Sequence, residues 1–463
     1  MATNTGTTVI RGGTIATDYG VFRAHLVIRD GRIAALVDDD ALLPRPDEEI
    51  DAAGKLVVPG GIDPHVHVEE PGRPDRADFG TETKNAAAGG ITTIMEHPLS
   101  LPPTSTGERV REKVRLAEEK AYVDFGLWGA IIPESLDHLE EMRDAGVRGF
   151  KAFMPFSEPT YPNVDDAELL DAMIKIARFD GLVLVHSESA DLLAANLKRL
   201  REAGRTDAAA HLESRPPFVE YEAVNRVVVL AKEAGVRLQV VHVSVPAAAE
   251  TIKAAKAAGQ RVTMEVCLHH LVLDEDDYFR TAPFARCAPP IRARDQVDAL
   301  WRYVLDGTVD SIISDQSPYT REEKEAGWAS IWEAPQGIQS IDVIYPLFLS
   351  EAVHKRGLSL EAFARMTSTN AARAARLYPR KGTILPGSDA DLAIYDPEAE
   401  WTVDENRSFG LHKWTPLHGM ACRGKVERTI VRGQAVYVDG EIVGRRGFGQ
   451  YLSGMPAPEK VAL

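Results

Sequence analysis

A chain of 463 residues with 44% hydrophobic and 26% charged side chains has room for one large barrel with an accessory domain, or for several small domains. A formal net charge of -16 leaves nothing to offset phosphate repulsion, which disfavours nucleic acid and anionic membranes as partners. No run of about 20 apolar residues is present to span a membrane. The opening Met1-Ala2-Thr3-Asn4-Thr5 lacks the basic and apolar regions of a secretory signal. Cys267, Cys287 and Cys422 are too widely spaced for a disulfide framework, so a reducing cytoplasm is the expected location.

Along the first 55 residues, short β-like runs (Thr8-Val9-Ile10, Leu26-Val27-Ile28) alternate with Gly and Asp turns. Longer apolar runs then read as buried parallel strands: Leu56 to Val58, Ile91 to Met95, Val123 to Trp128, Phe150 to Met154, Leu182 to Val185, Leu238 to Val243, Val262 to Cys267 and Ser311 to Ser314. Between them lie amphipathic stretches that read as helices: Arg109 to Ala121, Asp137 to Ala145, Ala167 to Arg178, Glu220 to Ala234, Ala247 to Ala258 and Arg294 to Leu305. Gly146, Gly235 and Gly259 suit helix C-caps. About eight β-α units in some 320 residues is the count of a (β/α)8 TIM barrel, with a doubly wound open sheet as the structural rival. After Lys381 the β pattern returns, in Gly387 to Tyr395 and Arg428 to Gly433. The expected α/β architecture is therefore a barrel over 56–379 and a small β-sandwich domain formed from both termini, 1–55 plus 380–463, with Pro379 and Gly382 at the boundary.

Chemistry concentrates where the strands end. Active sites of such barrels lie at the C-terminal ends of the strands. His65 and His67 follow the first apolar run, and residues two apart in a strand point the same way, as two ligands of one ion must. Lys151, His186, His242 and Asp315 occupy the ends of the fourth, fifth, sixth and eighth runs. One polar intruder in an apolar run is usually a hydrogen-bonded core residue; six at equivalent positions read as a metal centre. Lys151 is the odd member, because an ammonium repels cations. Carbamylation resolves this: a buried lysine with a lowered pKa exposes a neutral amine that can add carbon dioxide, giving an anion able to bridge two metal ions. Carbamate, Asp315 and a bridging hydroxide against two divalent cations leave about one net positive charge.

The set His65-x-His67, Gly149-Phe150-Lys151, Val185-His186, Val241-His242 and Ser314-Asp315 resembles the cyclic amidohydrolases: dihydroorotase, allantoinase, hydantoinase and dihydropyrimidinase. The likeness extends to Glu69-Glu70-Pro71-Gly72-Arg73, Ala88-Gly89-Gly90-Ile91-Thr92-Thr93, Cys287-Ala288-Pro289-Pro290-Ile291-Arg292 and Gly387-Ser388-Asp389-Ala390-Asp391. Through Glu96-His97-Pro98-Leu99, Pro102-Pro103-Thr104 and Gly447-Phe448-Gly449-Gln450 it looks nearest to the L-hydantoinase and allantoinase branch. The resemblance implies two divalent ions, usually zinc, with His65, His67 and Asp315 on the more buried one, His186 and His242 on the other, and carboxylated Lys151 bridging. It implies ring opening of a cyclic amide or ureide by the bridging hydroxide, with Asp315 as general base, and a homo-oligomer, commonly a tetramer. Substrates would be 5-substituted hydantoins or allantoin, with dihydropyrimidines and cyclic imides as the alternative.

Departures from the family pattern bear on the ring. Dihydroorotases place an Arg two positions after the second His, whereas Glu69 stands here and would repel a carboxylate substrate. Many hydantoinases place a Tyr five residues after the lysine; Phe156 removes that donor. Ser-Asp-His becomes Ser314-Asp315-Gln316, Asn-Gly becomes Gln336-Gly337, and Thr-Cys-Pro-His-Tyr becomes Val266-Cys267-Leu268-His269-His270. Glu69, His97, Phe156, Cys287, Ala288, Gln316 and Gln336 are thus the expected substrate-facing residues, although His97 suits a structural role equally. Trp328, Trp332 and Glu333 either cover the pocket mouth or pack a helix; Cys267 reads as an apolar strand residue, and Glu265 and His269 as supports for the ligands. Two rivals carry their own tests: a non-catalytic scaffold of the same fold would lack ligands, and a deaminase would use one metal and no carbamylated lysine.

Overall fold

The computed structural model describes residues 6–454; Met1–Thr5, where no signal is expected, lie outside them. Gly61–Val66, Ile91–Glu96 and Asp124–Leu127 pair as a three-stranded parallel sheet. Gly129–Ile131, Phe150–Phe153, Leu182–His186, Arg237–Val240, Val262–Cys267 and Ser311–Ile313 pair as a six-stranded parallel sheet in chain order. Every residue of Leu182–His186 and of Phe150–Phe153 is buried, as expected of strands covered on both faces. The strands are hydrogen-bonded as two sheets rather than one unbroken ladder. Trp128 alone separates the sheets along the chain, and its N–H still reaches the Glu96 carbonyl at 3.0 Å. At the other seam Val66 bridges Gln316 in parallel fashion, and the His67 N–H donates to the Gln316 carbonyl at 2.9 Å.

The termini build one continuous nine-stranded mixed sheet, where the sequence suggests a two-sheet sandwich. Its strand Leu56–Pro59 lies parallel to Thr14–Ile15 and antiparallel to Leu392–Tyr395. The apolar run before the two histidines therefore belongs to this sheet, and the strand that carries His65 begins only at Gly61. Gly60 makes the crossing possible, because a Cβ there would sit 2.3 Å from the Thr92 side chain. Among the described residues, no helix is long and apolar enough to cross a membrane.

A buried charge cluster fastens the terminal sheet to the parallel strands. Lys381, 1% exposed, reaches Asp124 at 2.7 Å and Asp389 at 3.3 Å and also pairs with Asp391, while Arg432 pairs with Asp124. Removing one partner of such a cluster strands the others without compensation. Lys381→Met is expected to destabilise the fold by about 3–5 kcal/mol, read as a lowered thermal midpoint; an unchanged midpoint would show that water already serves these carboxylates.

Candidate active site

All six residues singled out at the strand ends line one cavity of about 500 Å³. His65 lies in Gly61–Val66 and His67 just beyond it; Lys151 lies within Phe150–Phe153, and His186 ends Leu182–His186. His242 and Asp315 each follow their strand by two residues, in left-handed backbone at φ 40° and 49°. Non-glycine residues held there cost of order 1–3 kcal/mol and persist where the surroundings fix them. That turn swings both side chains into the cavity.

Two imidazoles converge on one carboxylate oxygen: His65 Nε2 and His67 Nε2 each lie 3.2 Å from Asp315 Oδ1. Their ligand atoms lie within 4.8 Å of one another, a group able to hold a metal ion. Behind His65, Nδ1 lies 3.1 Å from Glu265 Oε2, whose other oxygen accepts from Gln239. That contact turns Nε2 towards the cavity. The His186 and His242 rings meet edge to face at 4.5 Å between centroids. Glu188 Oε2 lies 2.7 Å from His186 Nε2 and also pairs with Arg215. Burial would raise Glu188, yet Arg215 and His186 outweigh it and hold the carboxyl at about 2. An ionised carboxylate only accepts, so His186 Nε2 donates and Nδ1 keeps the free lone pair.

The charges fit cations. Burial lowers the pKa of His65, His186 and His242, so the imidazoles are neutral and free to ligate. Burial alone would raise Asp315, but the hydrogen bond and charge of His67 draw it below the ordinary carboxylate range. Lys151 is fully buried and its Nζ has no hydrogen-bond partner among the described residues; burial lowers it to about 8 against the pull of Asp315 and Glu265. An unpartnered amine beside convergent imidazoles and a carboxylate is the donor set that a pair of divalent ions and a carbamate would complete.

Comparison with known proteins agrees with this geometry. The sequence profile of the Amidohydrolase family matches residues 56–436. The chain belongs to the amidohydrolase family. It is an enzyme of the cyclic amidohydrolase kind, metal-dependent and acting on a cyclic amide bond. It is 36% identical over 447 residues to an L-hydantoinase of Paenarthrobacter aurescens, covering 96% of this chain and 97% of that one. An allantoinase of Rubrobacter xylanophilus is 41% identical over 440 residues, covering 95% and 94%. The solved L-hydantoinase (dihydropyrimidinase) from Arthrobacter aurescens superposes with a TM-score of 0.94 at 36% identity, over 96% of this chain and 99% of that one.

The substrate side of this amidohydrolase divides the expected residues. Glu69, Phe156, Ala288 and Gln336 line the cavity. His97, Cys287 and Gln316 do not, and each has a physical reason. His97 is fully buried and stacks behind His65 at 3.7 Å, its Nε2 on the Pro64 carbonyl. The Cys287 thiol turns inward to the Pro289 carbonyl, and burial pushes it up to about 12. Gln316 donates to Glu82 at 2.8 Å and accepts from the Ser340 and Ile341 N–H groups, which turn its amide away from the cavity. Trp332 and Glu333 line the cavity, whereas Trp328 is 59% exposed and does not. Tyr161 adds no donor to the cavity, since its hydroxyl donates to the Lys151 carbonyl at 2.7 Å. His269 is buried against the His270 ring, with neither ring nitrogen partnered among the described residues.

Several residues that matter here carry no sequence signal strong enough to single out. Glu188 was legible in principle, being two residues after His186 in a His-x-Glu spacing. Asp63 holds the His65 N–H at 3.1 Å and accepts from Ser314, tying the first strand to the last. Arg76, Arg215, Arg286 and Tyr319 reach the cavity from loops and helix ends. Because Glu188 fixes which nitrogen of His186 faces the cavity, Glu188→Gln is expected to lower activity or metal affinity about 10- to 100-fold. Metal titration of the variant checks this, and wild-type affinity would remove Glu188 from the account.

Proposed function

We propose that this amidohydrolase opens a five-membered cyclic ureide, a 5-substituted hydantoin or allantoin, at a binuclear centre. One observation carries the reading: the unpartnered, buried amine of Lys151 sits in the same cavity as four imidazoles and an ionised aspartate. The hydantoinase and allantoinase names of full-length relatives support the ring class. We read the two parallel sheets as arcs of one (β/α)8 barrel, meeting at Val66 and Gln316. An assembly of identical chains in the cytoplasm belongs to the same reading. The assembly is supported by Phe218, Tyr221 and Val229, exposed apolar residues on one face of helix Pro217–Ala234.

In this reading His65, His67 and Asp315 would hold one ion and His186 and His242 the other, with Lys151, as a carbamate, supplying an anionic ligand to the pair. The neutral amine adds carbon dioxide, forming the N–C bond and releasing a proton. Two divalent ions, expected to be zinc, would supply an ionised water and polarise the scissile carbonyl. Asp315 takes the proton of the attacking oxygen and delivers it to the departing ring nitrogen, so water adds across the C–N bond to leave a carboxylate and a ureido or amino group. Glu265 and Glu188 hold the His65 and His186 rings in place throughout. Phe156 offers no proton to the developing oxyanion, so this chain lacks the phenol that other hydantoinases place there.

A ring-opening panel tests the proposal: allantoin, both enantiomers of several 5-substituted hydantoins, dihydrouracil and a cyclic imide, with zinc or manganese and bicarbonate supplied. Opening of a hydantoin or of allantoin is the expected result. Preference for dihydrouracil or the imide would move the protein to the dihydropyrimidinase or cyclic-imide reading, and no opening at all would end the substrate assignment.

A further inference from the structure

Apart from the six residues at the strand ends, the cavity wall contains a cationic patch with no counterion. Arg286 is 7% exposed, lines the cavity, and makes no hydrogen bond or ion pair through its guanidinium among the described residues. Of the six other buried cations among the described residues, four are ion-paired, Lys113 with Glu96, Arg292 with Glu220, Arg215 with Glu188 and Lys381 with three aspartates, while Lys324 donates to three carbonyls and Lys151 belongs to the strand-end set. Burial, then repulsion from Arg215 and Arg201, lowers Arg286 to about 10, so it stays charged at neutral pH. Arg201, which is exposed, also lines the cavity and has no carboxylate partner among the described residues. The two guanidinium carbons lie 5.5 Å (Arg201) and 5.9 Å (Arg286) from the centroid of the Trp332 ring, which faces the same space.

The patch is built rather than incidental. Lys324, fully buried, donates to the carbonyls of Arg286 at 3.1 Å, Pro335 at 3.0 Å and Gly337 at 2.9 Å. The Gly337 N–H in turn donates to the Arg286 carbonyl at 2.9 Å. The backbone that carries Arg286 is therefore tied to the turn after Trp332. The Trp332 indole N–H donates to the Arg205 carbonyl at 2.7 Å, which fixes the ring near the end of helix Ala190–Glu202 where Arg201 sits. Of the other acidic lining residues, Glu69 at 7% exposure and Glu323 on the short helix Arg321–Glu325 are both held by Arg76, and half-buried Glu158 accepts from Thr160 at 2.9 Å and pairs with neither Arg286 nor Arg201. Glu333 is exposed and pairs with neither arginine.

An uncompensated guanidinium in a low-dielectric wall is costly unless something anionic arrives. A planar fork of donors matches a carboxylate in two-point fashion. Arg286 lies beside the Trp332 ring and contacts neither Lys151 nor Asp315 among the described residues, so the anion it awaits is not on the reacting amide. We infer that the substrate is a cyclic ureide whose exocyclic side chain ends in a carboxylate, gripped by Arg286 with Arg201 and Trp332. The inference rests on the ring-opening reading and narrows it: allantoin and aryl hydantoins, with neutral side chains, would be the poorer substrates.

A matched pair tests it on the zinc-loaded full-length enzyme: 5-(2-carboxyethyl)hydantoin and its isosteric amide, 5-(2-carbamoylethyl)hydantoin. The wild type is expected to favour the acid about 10- to 100-fold in kcat/KM, chiefly through KM, the range of a charge-assisted hydrogen bond. Arg286→Gln collapses that ratio to near one, and Arg201→Gln lowers it by less. A wild-type ratio at or below one overturns the inference, whatever the variants do. So does Arg286→Gln protein of normal metal content that keeps the full preference. Because ring opening creates a new carboxylate on every product, a guanidinium serving only the product would weaken both substrates alike and leave the ratio unmoved, which also overturns it. Opening of other rings with neither member of the pair sinks this inference alone, whereas opening of none sinks the ring-opening reading beneath it.

Discussion

Lys151→Ala is expected to cut kcat/KM for ring opening by about a thousand-fold or more, as befits losing several kcal/mol of transition-state charge stabilisation. Bound metal should fall from about two ions per chain to one or fewer. The fold should survive the change. Lys151 Nζ has no hydrogen-bond partner among the described residues and is buried, so its removal deletes a desolvated amine rather than a bonded one. A thermal midpoint equal to or above that of the wild type therefore separates loss of the bridge from loss of structure. The same amine sets a pH dependence on assembly. Burial lowers it to about 8, and only the neutral form adds carbon dioxide, so metal-stripped protein should regain activity faster above pH 8 than at pH 7 at equal dissolved carbon dioxide. Full activity in Lys151→Ala would show that the lysine bridges nothing.

How much of this was legible in the sequence depends on periodicity. Strand positions were readable because parallel strands covered on both faces leave unbroken apolar runs, and Val262–Cys267 falls where its run predicts. Helices with one polar face were readable too, Arg294–Leu305 to the residue. Phe79–Ala88 was not, since it buries Glu82, Thr83 and Asn85 and shows no polar face. Ala190–Glu202 escaped for the opposite reason: only Leu193 and Leu200 are buried, too few to set a period. The run Leu56 to Val58 misled because burial in a terminal sheet looks the same as burial in a barrel. At the site, the six strand-end residues were legible because each interrupts an apolar run. His97, Cys287 and Gln316 stay out of the cavity because the course of the loop that carries each sets where its side chain packs, which no spacing rule reports. Arg286 went unnoticed for a similar reason: lying four residues before Pro290, in a loop, it interrupts no pattern.

Asp315→Asn isolates the proton from the scaffold. Asparagine keeps the shape and an oxygen in place of Oδ1, on which His65 and His67 converge at 3.2 Å, but it cannot carry a proton between two atoms. We expect kcat to fall about 10²- to 10⁴-fold, the range of general acid–base catalysis, with a much smaller change in KM. In the wild type, burial raises Asp315 while His67 lowers it further, for a net pKa below the ordinary carboxylate range. Cations in the site would push the same way. Asp315 is then ionised across the working range, and its protonation becomes limiting only in strong acid. An acid limb near neutrality in the rate profile must accordingly belong to another group, and should persist in Asp315→Asn at the lower rate. If the variant keeps kcat within about threefold, the proton travels by another path, and Glu69, which lines the same cavity with a carboxyl raised by burial against the pull of Arg76, becomes the group to test next.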